Sequence, residues 1–160
     1  MSEQNSFNIR CGRREFLTLT GAGMVTAVAG TLFPGRSFAG PDEAAKWISK
    51  LTGGAAAKQG NISIELPQIA ENGNTVPVTV TVDHPMTEKN YVEAIHLVAE
   101  RNPAPEVASF SLTPYSGKAE VSIRMRLAET QNVVAVAKSS DGTYYIATKE
   151  IKVTIGGCGG

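Results

Sequence analysis

Val76-Pro77-Val78-Thr79-Val80-Thr81-Val82 alternates valine with proline or threonine for seven residues, and this stretch decides the fold. A period of two puts four valines on one face of a strand and the polar set on the other, so one face meets a core and the other meets water. The same period recurs in Ile62, Ile64 and Leu66, in Val121, Ile123, Met125 and Leu127, and in Ile151, Val153 and Ile155. Residues 91 to 99 and 133 to 138 are apolar in both registers, as central strands are. Breakers separate these runs: Asn72-Gly73-Asn74, residues 83 to 85, 102 to 105 and 114 to 117, and Ser140-Asp141-Gly142, which reads as a tight hairpin turn. Seven or eight short strands at that spacing predict an all-β, immunoglobulin-like sandwich. Pro77 has no N–H to give to a ladder, which predicts an edge position for its strand.

One helix stands before the strands. Pro41 opens it, Ala44, Ala45, Trp47, Ile48 and Leu51 follow at helical spacing, and Gly53-Gly54 stops it. Ahead of the helix, Arg13-Arg14-Glu15-Phe16-Leu17 leads into a modestly apolar run from 17 to 33, and Ser37-Phe38-Ala39 supplies a small-x-small cleavage site. This order is that of a twin-arginine export signal, and the apolar run is short of the roughly 20 residues a stable membrane anchor needs. The chain therefore divides into a cleaved signal (1–39), a sandwich domain (40–155) and a C-terminal arm (156–160), with a periplasmic destination.

The 160-residue chain balances 15 basic against 15 acidic residues. Without Arg10, Arg13, Arg14, Arg36, Glu3 and Glu15, the mature part has 11 basic and 13 acidic residues. No basic stripe remains to neutralise phosphates, which excludes nucleic acid as a partner. Of the two cysteines, Cys11 lies in the signal, so the mature chain keeps only Cys158 and forms no internal disulfide. His84 and His96 stand apart from any cysteine and lack a carboxylate at ligand spacing, and read as a turn residue and a packed strand residue. Neither a metal site, nor a phosphate loop, nor a set of catalytic groups is visible, which leaves the thiol as the chemistry of the chain.

Gly156, Gly157, Gly159 and Gly160 bracket Cys158. Glycine has no side chain to bury a thiol and loses the most entropy on ordering, so the tail reads as a flexible tether bearing one nucleophile. Extended from Ile155, it carries the sulfur about 10 Å outward. A thiol of ordinary pKa, about 8.5, is only a few per cent thiolate at neutral pH, so activation has to come from a partner's pocket. A lone thiol cannot be trapped by an internal partner, and an arm supplies effective concentration while partners supply catalysis.

The runs Ile69-Ala70-Glu71-Asn72-Gly73, Val76-Pro77-Val78, His84-Pro85-Met86-Thr87, Asn102-Pro103-Ala104-Pro105, Arg126-Leu127-Ala128-Glu129-Thr130-Gln131, Ser140-Asp141-Gly142 and the closing Val153-Thr154-Ile155-Gly156-Gly157-Cys158-Gly159-Gly160 together resemble the SoxY family. The resemblance covers the mature chain and is most specific at its end. It implies a sandwich subunit of the periplasmic thiosulfate-oxidising Sox system, not itself an enzyme and without a resident cofactor. The family pairs it with a second sandwich subunit, SoxZ, as a heterodimer. It implies that Cys158 carries sulfur intermediates, that a c-type cytochrome couples thiosulfate to it, that a hydrolase releases sulfate, and that a sulfur dehydrogenase acts on the remaining sulfane. Two rival readings follow from the residues alone. One is an exported scaffold or adhesion module whose cysteine forms only an intermolecular disulfide. The other is a ubiquitin-like carrier ending in Gly159-Gly160, which the export signal and the sandwich pattern oppose.

Overall fold

A computed structural model describes residues 40–157 of the chain, and the expected signal with Arg13 and Arg14, together with Cys158, Gly159 and Gly160, lies outside the described residues. In chain order the elements are helix α1 (Pro41–Thr52) and strands β1 (Lys58–Gln59), β2 (Ile62–Glu65), β3 (Ile69–Asn72), β4 (Val76–Val82), β5 (Val92–Ala99), β6 (Glu106–Ser111), β7 (Ala119–Met125), β8 (Gln131–Ser139) and β9 (Tyr144–Ile155). A single 3-10 turn, Pro114–Ser116, lies between β6 and β7. The larger sheet runs β1-β9-β8-β5-β6 with β3 also on β9, and the smaller runs β2-β4-β7. β1 and β3 lie parallel to β9, and the remaining pairs are antiparallel.

The two sheets close on the valine face read from the sequence. Val76, Val78, Val80 and Val82 of β4 are all buried, and meet Ile95, Leu97, Ala135 and Ile151 of the larger sheet in one core. Leu127, just past β7, is fully buried in the same core. The fold is the expected all-β sandwich, and the turn at Ser140-Asp141-Gly142 joins β8 to β9. Gly142 takes a φ of 83°, where a side chain would be strained, and donates to Ser139 O at 2.9 Å.

Pro77 did not mark an edge. β4 is the middle strand of its sheet. The β2–β4 ladder stops at Glu65 opposite Thr79, two residues short of Pro77, which faces only Arg124 of β7. The missing N–H therefore breaks no β2–β4 pair, and a central strand accepts proline where its neighbour has already ended.

Apolar runs on both faces of β5 and β8 were expected to need a partner's cover, but the chain supplies much of it. Val98, Val134 and Val136 point away from the inter-sheet core and are buried with Ala44 beneath α1, with Trp47, Ile48 and Leu51 packed around them. α1 runs from Pro41 to Thr52 and ends on Gly53 at φ 61°, with the Gly53 and Gly54 amides donating to Lys50 O and Ser49 O. Tyr144 of β9 donates its hydroxyl to Leu51 O at 3.4 Å and ties the end of the helix to the sheet. Among the described residues no helix is long and apolar enough to cross a membrane.

Candidate functional site: the root of the C-terminal arm

β9 brings the chain to its C-terminal arm, and three backbone segments meet where the strand ends. The Gly73 amide donates to Ile155 O at 2.8 Å, the Leu127 amide donates to Gly73 O at 2.8 Å, and the Gly157 amide donates to Leu127 O at 2.9 Å. This threads the β3–β4 turn, the segment after β7 and the arm into one chain of bonds. It forms only because the backbones touch. A Cβ on Gly73 would overlap Leu127 O and come 2.6 Å from Gly157 N, one on Gly156 would overlap Ala128 O, and one on Gly157 would come 2.8 Å from Gly73 O. Gly157 is buried.

The arm was expected to swing from Ile155. Instead Gly156 and Gly157 are bound, and the length that can leave the surface without breaking those bonds begins at Cys158. The two glycines serve close backbone approach here, in addition to any freedom they lend when released.

The segment 126–130 that receives the arm is held from behind by amide side chains. Asn102 Oδ1 accepts from Ala128 N at 3.0 Å and from Gln131 Nε2 at 2.9 Å, while Asn102 Nδ2 donates to Arg126 O at 2.8 Å. Gln131, 3% exposed, also donates to Glu129 O at 3.2 Å and accepts the Arg101 amide at 2.7 Å. Val153 N donates to Thr130 Oγ1 at 2.9 Å, which joins the segment to β9 itself. The Arg101–Glu129 ion pair at 3.1 Å is exposed and adds little. Asn102 and the 126–131 run entered the sequence reading only as parts of a resemblance, and Gly73 only as a turn breaker. Nothing periodic marks a backbone contact between positions so far apart.

The histidines are structural, as read. His84 lies in the β4–β5 loop with Nδ1 2.9 Å from Pro85 O and Nε2 3.1 Å from Ser139 Oγ. His96 is on β5, its Nδ1 2.8 Å from Ser109 Oγ, which donates to Glu106 at 2.8 Å. Burial, in part under the Trp47 ring, lowers the His96 pKa from its ordinary 6.5, and the Glu106 carboxylate opposes that shift. Among the described residues no group of three or more His, Cys, Asp or Glu is placed to hold a metal ion.

The architecture is that of a β-sandwich carrier domain which ends in a tail rooted on its own surface. Comparison with known families places it: the chain matches sulfur oxidation protein SoxY over residues 48–158 and belongs to the SoxY family. Among solved structures, the sulfur carrier protein SoxY from Chlorobium limicola f thiosulfatophilum is 39% identical, with a TM-score of 0.59 over 69% of this chain and 96% of that one. A superoxide reductase (neelaredoxin) from Ignicoccus hospitalis is similar at 22% identity, with a TM-score of 0.53 over 76% of this chain and 98% of that one. A putative superoxide reductase from Thermotoga maritima is similar at 17% identity, with a TM-score of 0.53 over 61% of this chain and 93% of that one. At these identities the two reductases share the fold alone. Comparison with curated proteins gave no match. Family and fold together assign the chain a carrier role in sulfur oxidation.

Proposed function

We propose that this protein carries sulfur covalently on Cys158 in the periplasm and presents it to partner enzymes during thiosulfate oxidation. The observation that supports this most is that the family match runs through the arm and ends on residue 158, the thiol itself. Loading joins the cysteine thiolate to the sulfane sulfur of thiosulfate. A new S–S bond forms, the thiol proton leaves, and two electrons pass to a c-type cytochrome. Water then attacks the terminal sulfone in a hydrolase. The bond between the two outer sulfurs breaks, sulfate and two protons leave, and a persulfide anion stays on Cys158. A dehydrogenase oxidises that sulfane further. The carrier supplies no catalytic group to any of these steps. It contributes the thiol, its tether and a surface on which each enzyme docks. A SoxZ-type subunit completes it as a heterodimer, and the twin-arginine signal at Arg13-Arg14 exports it.

Mass spectrometry of the complex after exposure to thiosulfate and the loading cytochrome tests the reading. Adducts of about 112 Da (S₂O₃) and, after hydrolysis, about 32 Da (one sulfur) are expected on Cys158 and on no other residue. In Cys158→Ser both adducts and thiosulfate-dependent turnover should vanish while the thermal midpoint stays. A variant that keeps a tenth of wild-type turnover would sink the carrier role, and a protein recovered only as a disulfide dimer would favour an exported scaffold.

A further inference from the structure

We infer that Asn102, with Gly73, positions the carrier arm: the two build a clamp that fixes where the arm leaves the domain. The inference rests on the carrier reading above and adds residues that act through the backbone rather than on sulfur. Leu127 O is the acceptor that holds Gly157, and Leu127 has no side-chain polarity of its own to orient that carbonyl. Its orientation is set on both sides by Asn102, which binds Arg126 O at 2.8 Å and Ala128 N at 3.0 Å, the two groups flanking residue 127. Buried Gln131 completes the brace through its 2.9 Å bond to Asn102 Oδ1. From the opposite side, Gly73 binds Ile155 O and Leu127 N, both at 2.8 Å, and its missing Cβ is the space in which Gly157 N lies. A single amide side chain spanning residues 126 to 128 is an economical way to aim one carbonyl at an incoming strand end.

The clamp shortens the free tether. With Gly157 held, one residue separates the anchor from the thiol, and with the clamp lost, three residues past Ile155 are free. Effective concentration at a docked partner falls roughly as the −3/2 power of tether length, so release should dilute the thiol about fivefold.

Three variants test this in the complete complex with thiosulfate and the loading cytochrome: Asn102→Ala, Gly73→Ala and, as a control for stability alone, Gly142→Ala, whose φ of 83° makes a side chain strained at a turn outside the clamp. Asn102→Ala and Gly73→Ala should speed hydrogen exchange at the Gly157 amide about tenfold or more and lower kcat/KM for loading about fivefold. The reaction of Cys158 with a small disulfide reagent should not change. Gly142→Ala should leave both the Gly157 exchange and kcat/KM at wild-type values. Should Asn102→Ala fail to fold, Gly73→Ala carries the test by itself. Unchanged Gly157 exchange in Gly73→Ala would overturn the clamp. A rise in kcat/KM would also overturn positioning, because the bonds would then be restraining delivery. The exchange measurement does not depend on sulfur chemistry, so it separates failure of the clamp from failure of the carrier reading, which Cys158→Ser decides.

Discussion

Replacing Trp47 with alanine should change both the stability of the domain and the way that stability depends on pH. The indole packs with Ile48 and Leu51 over Val98, Val134 and Val136, and its ring meets His96 edge-on with centroids 5.9 Å apart. A tryptophan that hides most of its ring buries roughly 120 Å² of apolar surface, which at about 25 cal/mol per Å² amounts to about 3 kcal/mol. For a domain of this size that lowers the midpoint of thermal unfolding by about 10 °C. The pH effect comes from His96, whose pKa burial holds below 6.5. The unfolded chain takes up this proton near pH 6.5, whereas the folded domain takes it up only at lower pH. Stability is therefore full above pH 6.5 and falls as the pH drops through the window down to the folded value. Opening the site by Trp47→Ala rehydrates the imidazole, moves its folded pKa back toward 6.5 and narrows that window. The stability gap between wild type and variant should then be larger at pH 8 than at pH 5. Urea unfolding at both pH values, with His96 followed by NMR titration, reads both parts. An equal gap at the two pH values, with the His96 titration unmoved, would refute the idea that Trp47 desolvates the ring.

Other substitutions probe the arm, the core and the export route. Gly156→Val places a side chain on Ala128 O, so the arm root should detach and turnover should fall several-fold, while the reaction with a small disulfide reagent stays near normal; equal losses in both would mean the glycines tune the thiol. Leu127→Ala removes a fully buried side chain and should cost about 3 kcal/mol in chemical unfolding, and a loss under about 1 kcal/mol would show that the segment is less embedded than its burial indicates. Changing Arg13 and Arg14 together to lysine should leave this protein and its signal-less second subunit in the cytoplasm, as fractionation would show; a normal periplasmic level of the second subunit would rule out co-export.

Much of the sandwich could be read directly because a buried face writes a period of two into the chain. Val76 to Val82 and Val121 to Leu127 announce their strands residue by residue, and the two apolar runs fall on β5 and β8, the inner strands of the larger sheet. What was hidden depends on neighbours. Whether Pro77 lies at an edge is decided by where β2 stops. What covers Val98, Val134 and Val136 is decided by where α1 lies, and its own apolar spacing at Trp47, Ile48 and Leu51 was the available clue. β1 and β3 cover two and four residues, too few to show a period, and exist through parallel pairing with distant β9. The tail's composition announced a tether. Its docking could not be read, because Gly73 and Asn102 act through backbone atoms that every residue has.

The placement of β9 has a mechanical consequence. The strand runs directly into the arm, with β8 bonded along Gln131–Lys138 on one side and β3 on the other alongside its final residues, Lys152 to Ile155. Antiparallel ladder bonds stand perpendicular to their strands, so tension along the arm loads many of them together in shear instead of peeling them off one at a time. When an enzyme draws the cysteine inward, the first contacts to yield are the few at Gly157 and Gly73, and behind them the pull meets a strand braced on both flanks. The weak link is thus set next to the cargo, and the sandwich acts as a fixed post against which the tether can be tugged repeatedly without being unravelled.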